Sequence, residues 1–194
     1  MNVFTTDEFD RKIREDFLKI QMLNVWISYE EFYSDLDIEK IEQLTAFMCD
    51  FLKVGKPIIK LLDNIDNAYA NTVFCMKNGK TEVSHIEFLK RHLKFTGEEE
   101  RIILLQSIAH EVRHIWQFHN QLIEFNMDQV YTDSVDEIDA IAFSRLFLGF
   151  FASSQFIIED KELDRKVTRI ENLIYTDFIF RVVQENQRIK FQWS

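Results

Sequence analysis

The residues best suited to chemistry lie in Ile108-Ala109-His110-Glu111-Val112-Arg113-His114-Ile115-Trp116-Gln117. His110 and His114 are four residues apart. On a helix that spacing puts them about 40° apart around the axis and one turn along it. Both rings then project to one side, at a separation that suits two ligands of a single metal ion. Glu111 lies beside that face. It cannot easily serve as a third ligand from the adjacent position, but it can reach a metal-bound water, where a general base belongs. The competing reading is two histidines packed on a helix with no metal between them.

A zinc site of this kind takes a third protein ligand and leaves the fourth position open for water. The candidates lie in Tyr131-Thr132-Asp133-Ser134-Val135-Asp136-Glu137-Ile138-Asp139-Ala140-Ile141-Ala142-Phe143. If this segment is helical, Glu137 shares a face with Ala140, Ile141 and Ser144, and the small Ala140 and Ser144 allow close approach to the histidine helix. Asp133 lies on the same face one turn earlier, and Asp139 points to nearly the opposite side. Glu137 is the favoured ligand, with Asp133 and Asp139 as rivals. His119 is the last histidine in the chain, so a third histidine further downstream is excluded. Hydrolysis at such a centre also needs a donor for the oxyanion. Tyr131, Arg113 and His119 are candidates, and Tyr131 is preferred because it precedes the Glu137 helix in an expected loop.

These two stretches together resemble the compact gluzincin-type zinc metallopeptidases, among them the ImmA/IrrE-like proteins and related small zincin-like proteins of bacteria and their phages. The resemblance implies a zincin-like fold and Zn2+ held by His110, His114 and Glu137. It also implies Glu111 as general base and a peptide or protein as substrate. It covers the organisation of about residues 57–150, but its specific motifs are only the two stretches quoted. One departure stands out. Relatives often carry an Asp four residues after the ligand Glu, where it can support a ligand histidine; here that position is Ile141. Asp133, Asp136 or a backbone carbonyl is expected to substitute. The departure motivates an alternative reading, a catalytically inactive zinc-binding protein acting as a regulatory or interaction module.

The elements that must position these residues follow from periodicity and punctuation. With 4 Gly and 1 Pro in 194 residues, helix should dominate. An amphipathic helix is expected from Thr6, with Phe9, Ile13, Phe17 and Ile20 on one face. Asp37 is a candidate cap for a second, carrying Ile38 to Phe51 and stopping near Gly55, just before Pro57. Pro57–Leu62 and Asn71–Met76 read as strands. Asn78-Gly79 marks a hairpin turn, with a return strand from Glu82 to about Leu89. That last strand precedes the histidine helix, and the resemblance to zincins implies that it forms the sheet edge against which substrate backbone could pair. A helix should run from Glu98 to about His119, another from near Ser134 towards Phe151, and a last one from about Asp160. The fold class is therefore α+β, mostly helical, with about three strands before the histidine helix. The chain reads as a single domain, 1–194, with N-terminal helices (1–54), a metal-site core (57–151) and a C-terminal helical segment (152–194).

Composition narrows the setting. With 23 Lys+Arg against 33 Asp+Glu, the net charge is −10. That disfavours nucleic acid and anionic membrane surfaces, both of which need clustered cations. Lys77, Lys80, Lys90, Arg91 and Lys94 make one segment locally basic, and read as solvated surface. Leu146–Ile158 is the longest apolar stretch, and it is too short for a membrane span. The N-terminus lacks the pattern of a signal peptide. Cys49 and Cys75 read as buried free thiols. A cytoplasmic protein is expected.

Overall fold

The computed structural model describes residues 38–65, 68–78, 80–93, 98–121, 134–152 and 157–192. The expected helix from Thr6, the Asp37 cap, Lys94, Tyr131 and Asp133 lie outside the described residues.

Helix α1 (Ile38–Leu52) places Ile41, Leu44, Met48, Phe51 and Leu52 inward at helical spacing. Lys53 ends it with φ 58°, and the Val54 amide donates back to the Cys49 carbonyl at 2.9 Å. The left-handed residue that closes the helix is thus Lys53, two positions before the glycine expected to do so. Strands β1 (Ile58–Leu62), β2 (Ala70–Lys77) and β3 (Lys80–Leu89) follow, and Asn78 takes the positive φ of 52° that the β2–β3 turn demands. Helix α2 (Glu98–His119), helix α3 (Val135–Phe147) and helix α4 (Lys161–Gln192) complete the framework. A π turn at Leu148–Ala152 finishes the α3 segment. Asp160 caps α4, accepting from the amides of Glu162 and Leu163 at 2.8 and 3.0 Å; these bonds hold its carboxyl below the usual range.

Among the described residues this is an α+β fold of four α-helices and one three-stranded sheet. The strand order is β1-β3-β2, with β1 parallel and β2 antiparallel to β3. Two expectations fail here. The first concerns the return strand, Glu82–Leu89, which is the centre of the sheet and not its edge. Its backbone is engaged on both sides, because β1 pairs with it from the other flank through Ile58–Leu62. The second concerns Cys75. Cys49 is buried, but Cys75 is exposed. A bulge between Val73 and Phe74 shifts the β2–β3 register, and beyond it Cys75, Met76 and Lys77 are all exposed. Alternation therefore no longer hides one side of the strand at the hairpin tip.

The core joins one face of the sheet to all four helices. Ile86 and Phe88 from β3 meet Leu105, Ile108 and Val112 from α2, with Phe51, Phe143, Phe147 and Phe178 closing over them. Phe51 and Phe178 rings lie 5.4 Å apart, within the range of favourable aromatic pairs. A smaller cluster of Ile138, Ile141, Ala142 and Val167 seals α3 to α4. Arg145 of α3 adds a fork onto Glu171 (2.5 and 2.6 Å), with Asp164 and Thr168 of α4 alongside. No described helix is long and apolar enough to cross a membrane. Lys77, Lys80, Lys90 and Arg91 are exposed, as expected of solvated surface.

The two thiols provide a direct check on this packing. Burial pushes the Cys49 thiol up to about 12, so it is both covered and protonated near neutral pH. Iodoacetamide added to the folded protein should modify Cys75 and spare Cys49, giving one adduct by mass spectrometry and two after denaturation. Equal labelling of both in the folded state would contradict the packing.

Candidate metal centre

The α2 sequence places its histidines on the side that faces α3. Ile108, Ala109 and Val112 are fully buried, and Ala140, Ala142 and Ser144 are fully buried on α3. Small side chains on both helices let the backbones approach. His110, His114 and Glu137 are brought together at this seam.

His110 Nε2 and His114 Nε2 lie 3.0 Å apart. Glu137 Oε2 is 3.1 Å from His110 Nε2, and Oε1 is 3.5 Å from His114 Nε2. The rings meet nearly edge to face, at 84°. One ligand atom from each residue falls within 4.8 Å of the others, so the three could hold a metal ion. The spacing can be tested against coordination chemistry. Tetrahedral bonds of about 2.0–2.1 Å put neighbouring ligand atoms roughly 3.3 Å apart, close to the 3.0 Å between the two Nε2 atoms and the 3.1 Å from His110 Nε2 to Glu137 Oε2. Glu137 Oε2 is also a buried oxygen with no well-formed hydrogen bond, the condition of a ligand atom whose partner is a cation. The residues therefore fit a metal.

Electrostatics couple the three groups. Burial works against a charge on His114, but the hydrogen bond to Glu137 and the nearby charges of Glu111 and Glu137 outweigh it and raise its pKa to about 9. The converse holds for Glu137. Burial would raise its pKa, but the adjoining His110 and His114 rings hold the carboxyl well below the usual carboxylate range. In the metal-free protein a proton on His114 thus takes the place of part of the cationic charge.

The surroundings separate the remaining candidates. Glu111 is buried, and the Thr72 hydroxyl of β2 lies 2.8 Å from its Oε2 and 3.1 Å from its carbonyl oxygen. Asp139 is not in the metal group. Its carboxylate accepts from the Arg113 Nε and NH2 groups at 2.7 and 2.9 Å. Asp139 is expected on nearly the opposite side of α3 from Glu137, yet its carboxylate still meets α2, because the long Arg113 and Gln117 side chains reach it. Arg113 is also withdrawn as an oxyanion donor: it is 4% exposed, bound to Asp139 and stacked 3.7 Å from the Trp116 ring centre. His119 is exposed at the end of α2. The Asp136 side chain accepts from Ser134 Oγ.

Two participants escaped the sequence reading. Thr72 occupies an inward position on β2, but nothing local says which helix it meets. Gln117 is three residues after His114, hence on its face, and its Oε1 lies 2.8 Å from His114 Nδ1. The i, i+3 spacing was the available signal. Ile141 is buried in the apolar cluster that includes Val167.

No protein family, curated protein or solved structure matches the chain.

The coupling has a measurable sign. The folded pKa of His114 is above the ordinary value of 6.5. Its contribution to stability is therefore fully present below pH 6.5 and is lost as pH rises through about 9. Counted once for the His114–Glu137 pair, it is on the order of 3 kcal/mol. Tm of the metal-free protein should fall by roughly 5–10 °C between pH 6.5 and 9.5. The His114→Gln protein should lack that part of the decline, and an identical pH profile for both proteins would refute the coupling.

Proposed function

We propose that the chain is a zinc-dependent peptidase of zincin type, with His110, His114 and Glu137 as metal ligands and Glu111 as general base. The observation that carries this reading is the convergence of two imidazole nitrogens and a carboxylate at 3.0–3.5 Å, with the buried Glu111 carboxylate held by Thr72 and near enough for its charge to act on His114. Two nitrogens and one oxygen from three residues suit zinc and leave one position of a tetrahedron for solvent. Zinc bound there supplies a Lewis acid and lowers the pKa of a water to about 7.

The chain's own groups do the rest. Glu111 orients the attacking water, takes its proton and delivers it to the leaving amine. Thr72 donates to Glu111 Oε2 and so fixes where the carboxylate stands. β2 is paired on one side only among the described residues, so it is the strand an extended peptide would meet beside Glu111. The two free thiols suit the reducing cytoplasm.

A second reading keeps the metal and drops the turnover. It is motivated by Ile141, which packs against Val167 and cannot support a ligand as an acid would. Elemental analysis separates these readings from a metal-free protein. One zinc per chain is expected, with loss of more than 90% of it, as an estimate of order, in His110→Ala and in Glu137→Ala. Peptide hydrolysis should disappear with chelator and return with zinc. Glu111→Gln should bind zinc and lose activity by about a hundredfold or more. Zinc binding without hydrolysis of any peptide in a broad panel would favour the second reading, and the absence of zinc would remove both.

A further inference from the structure

The metal group leaves one connected set of buried polar side chains unexplained. Gln117 is 2% exposed and Arg113 4%, too deep to carry polar atoms without partners at low cost. The Gln117 Nε2 group donates to the Asp136 carbonyl at 2.8 Å and to Asp139 Oδ2 at 2.7 Å. Both partners are acceptors only. The NH2 end of the amide must therefore face them, and Oε1 must face His114 Nδ1, 2.8 Å away. An amide oxygen only accepts, so Nδ1 carries the hydrogen. Asp139 is in turn gripped by both the Nε and NH2 groups of Arg113, and Arg113 is pinned over Trp116.

We propose that Gln117 is a positioning residue for the metal centre: its amide, locked by Asp139 and the Asp136 carbonyl, holds His114 in the form with hydrogen on Nδ1 and turns the Nε2 lone pair towards the ion shared with His110 and Glu137. This deepens the zinc reading and rests on it. Gln117 takes the part that an acid at position 141 would otherwise play. It is supplied by the histidine helix itself, so ring orientation is set within α2. Asp139 then ties that orientation to the placement of α3, the helix that carries Glu137. A ligand histidine whose partner is removed typically loses about tenfold to a hundredfold in metal affinity.

The test is Zn2+ affinity by competition with a chromogenic chelator, together with proton NMR of the histidine rings in the metal-free protein. Gln117→Met fills a similar volume without the amide. It should weaken Zn2+ binding by about tenfold to a hundredfold. Gln117→Glu keeps an oxygen for His114 and can share one proton with Asp139, so it should bind within about threefold of the unaltered chain, a margin that corresponds to well under 1 kcal/mol. In the unaltered, metal-free protein a slowly exchanging His114 Nδ1 proton is expected, and it should be lost in Gln117→Met. Unchanged Zn2+ affinity in Gln117→Met would overturn the inference and leave the zinc reading intact. Absence of Zn2+ binding by the unaltered chain would overturn both. Should Gln117→Met fail to fold, the NMR signal of the unaltered protein decides: no protected Nδ1 proton on His114 means no such positioning bond.

Discussion

The structure depends on holding two imidazoles and a carboxylate against one another where water is largely excluded. Left alone, such a set is unfavourable. Buried ionisable groups lose hydration, and two Nε2 atoms 3.0 Å apart need a hydrogen or a cation between them. A positive charge between them resolves the conflict, whether a proton on His114 or a metal cation. A proton and a metal ion would therefore compete for the same position, and Glu137 could serve either one. Everything around the seam acts to keep these groups in place despite that cost.

Two kinds of contact do so. Close approach of α2 and α3 comes from small residues, with Ala109, Ala140 and Ser144 wholly buried. Orientation comes from arginine. Arg113 of α2 grips Asp139 of α3, and Arg145 of α3 grips Glu171 of α4. Helix α3 is thus held on both flanks by planar forks that tolerate little rotation. Buried ion pairs add little net stability, because desolvation offsets most of the attraction. Their effect here is geometric: they fix the rotation of α3 that aims Glu137 at the histidines. The apolar clusters supply the stability, and the ion pairs select one arrangement of it.

The sheet has a narrower part in the site. Ile86 and Phe88 anchor it to α2, and β2 contributes Thr72 to Glu111. The bulge after Val73 shifts the β2–β3 register, and Cys75, Met76 and Lys77 beyond it are exposed. The basic and exposed residues of this hairpin consequently belong to the surface, at a distance in sequence from the acidic seam between α2 and α3.

The sequence by itself determined whatever depends on neighbours within a turn or two. The i, i+4 spacing put His110 and His114 on one face, the glutamates at 98–100 and the residues up to His119 marked the span of α2, and Asn78-Gly79 marked the hairpin. The face shared by Glu137, Ala140 and Ser144 pointed to the third member of the group. Tertiary structure decided what depends on residues far apart in the chain. Strand order is one case: no local pattern shows that Ile58–Leu62 would add beside Lys80–Leu89 and move it from the edge to the centre. The exposure of Cys75 is another, since it depends on where the helix layer ends. The Gln117–Asp139–Arg113 chain is the third. A helical wheel gives the direction of a Cα, but long side chains bend away from it, and a partner from another helix determines where they go.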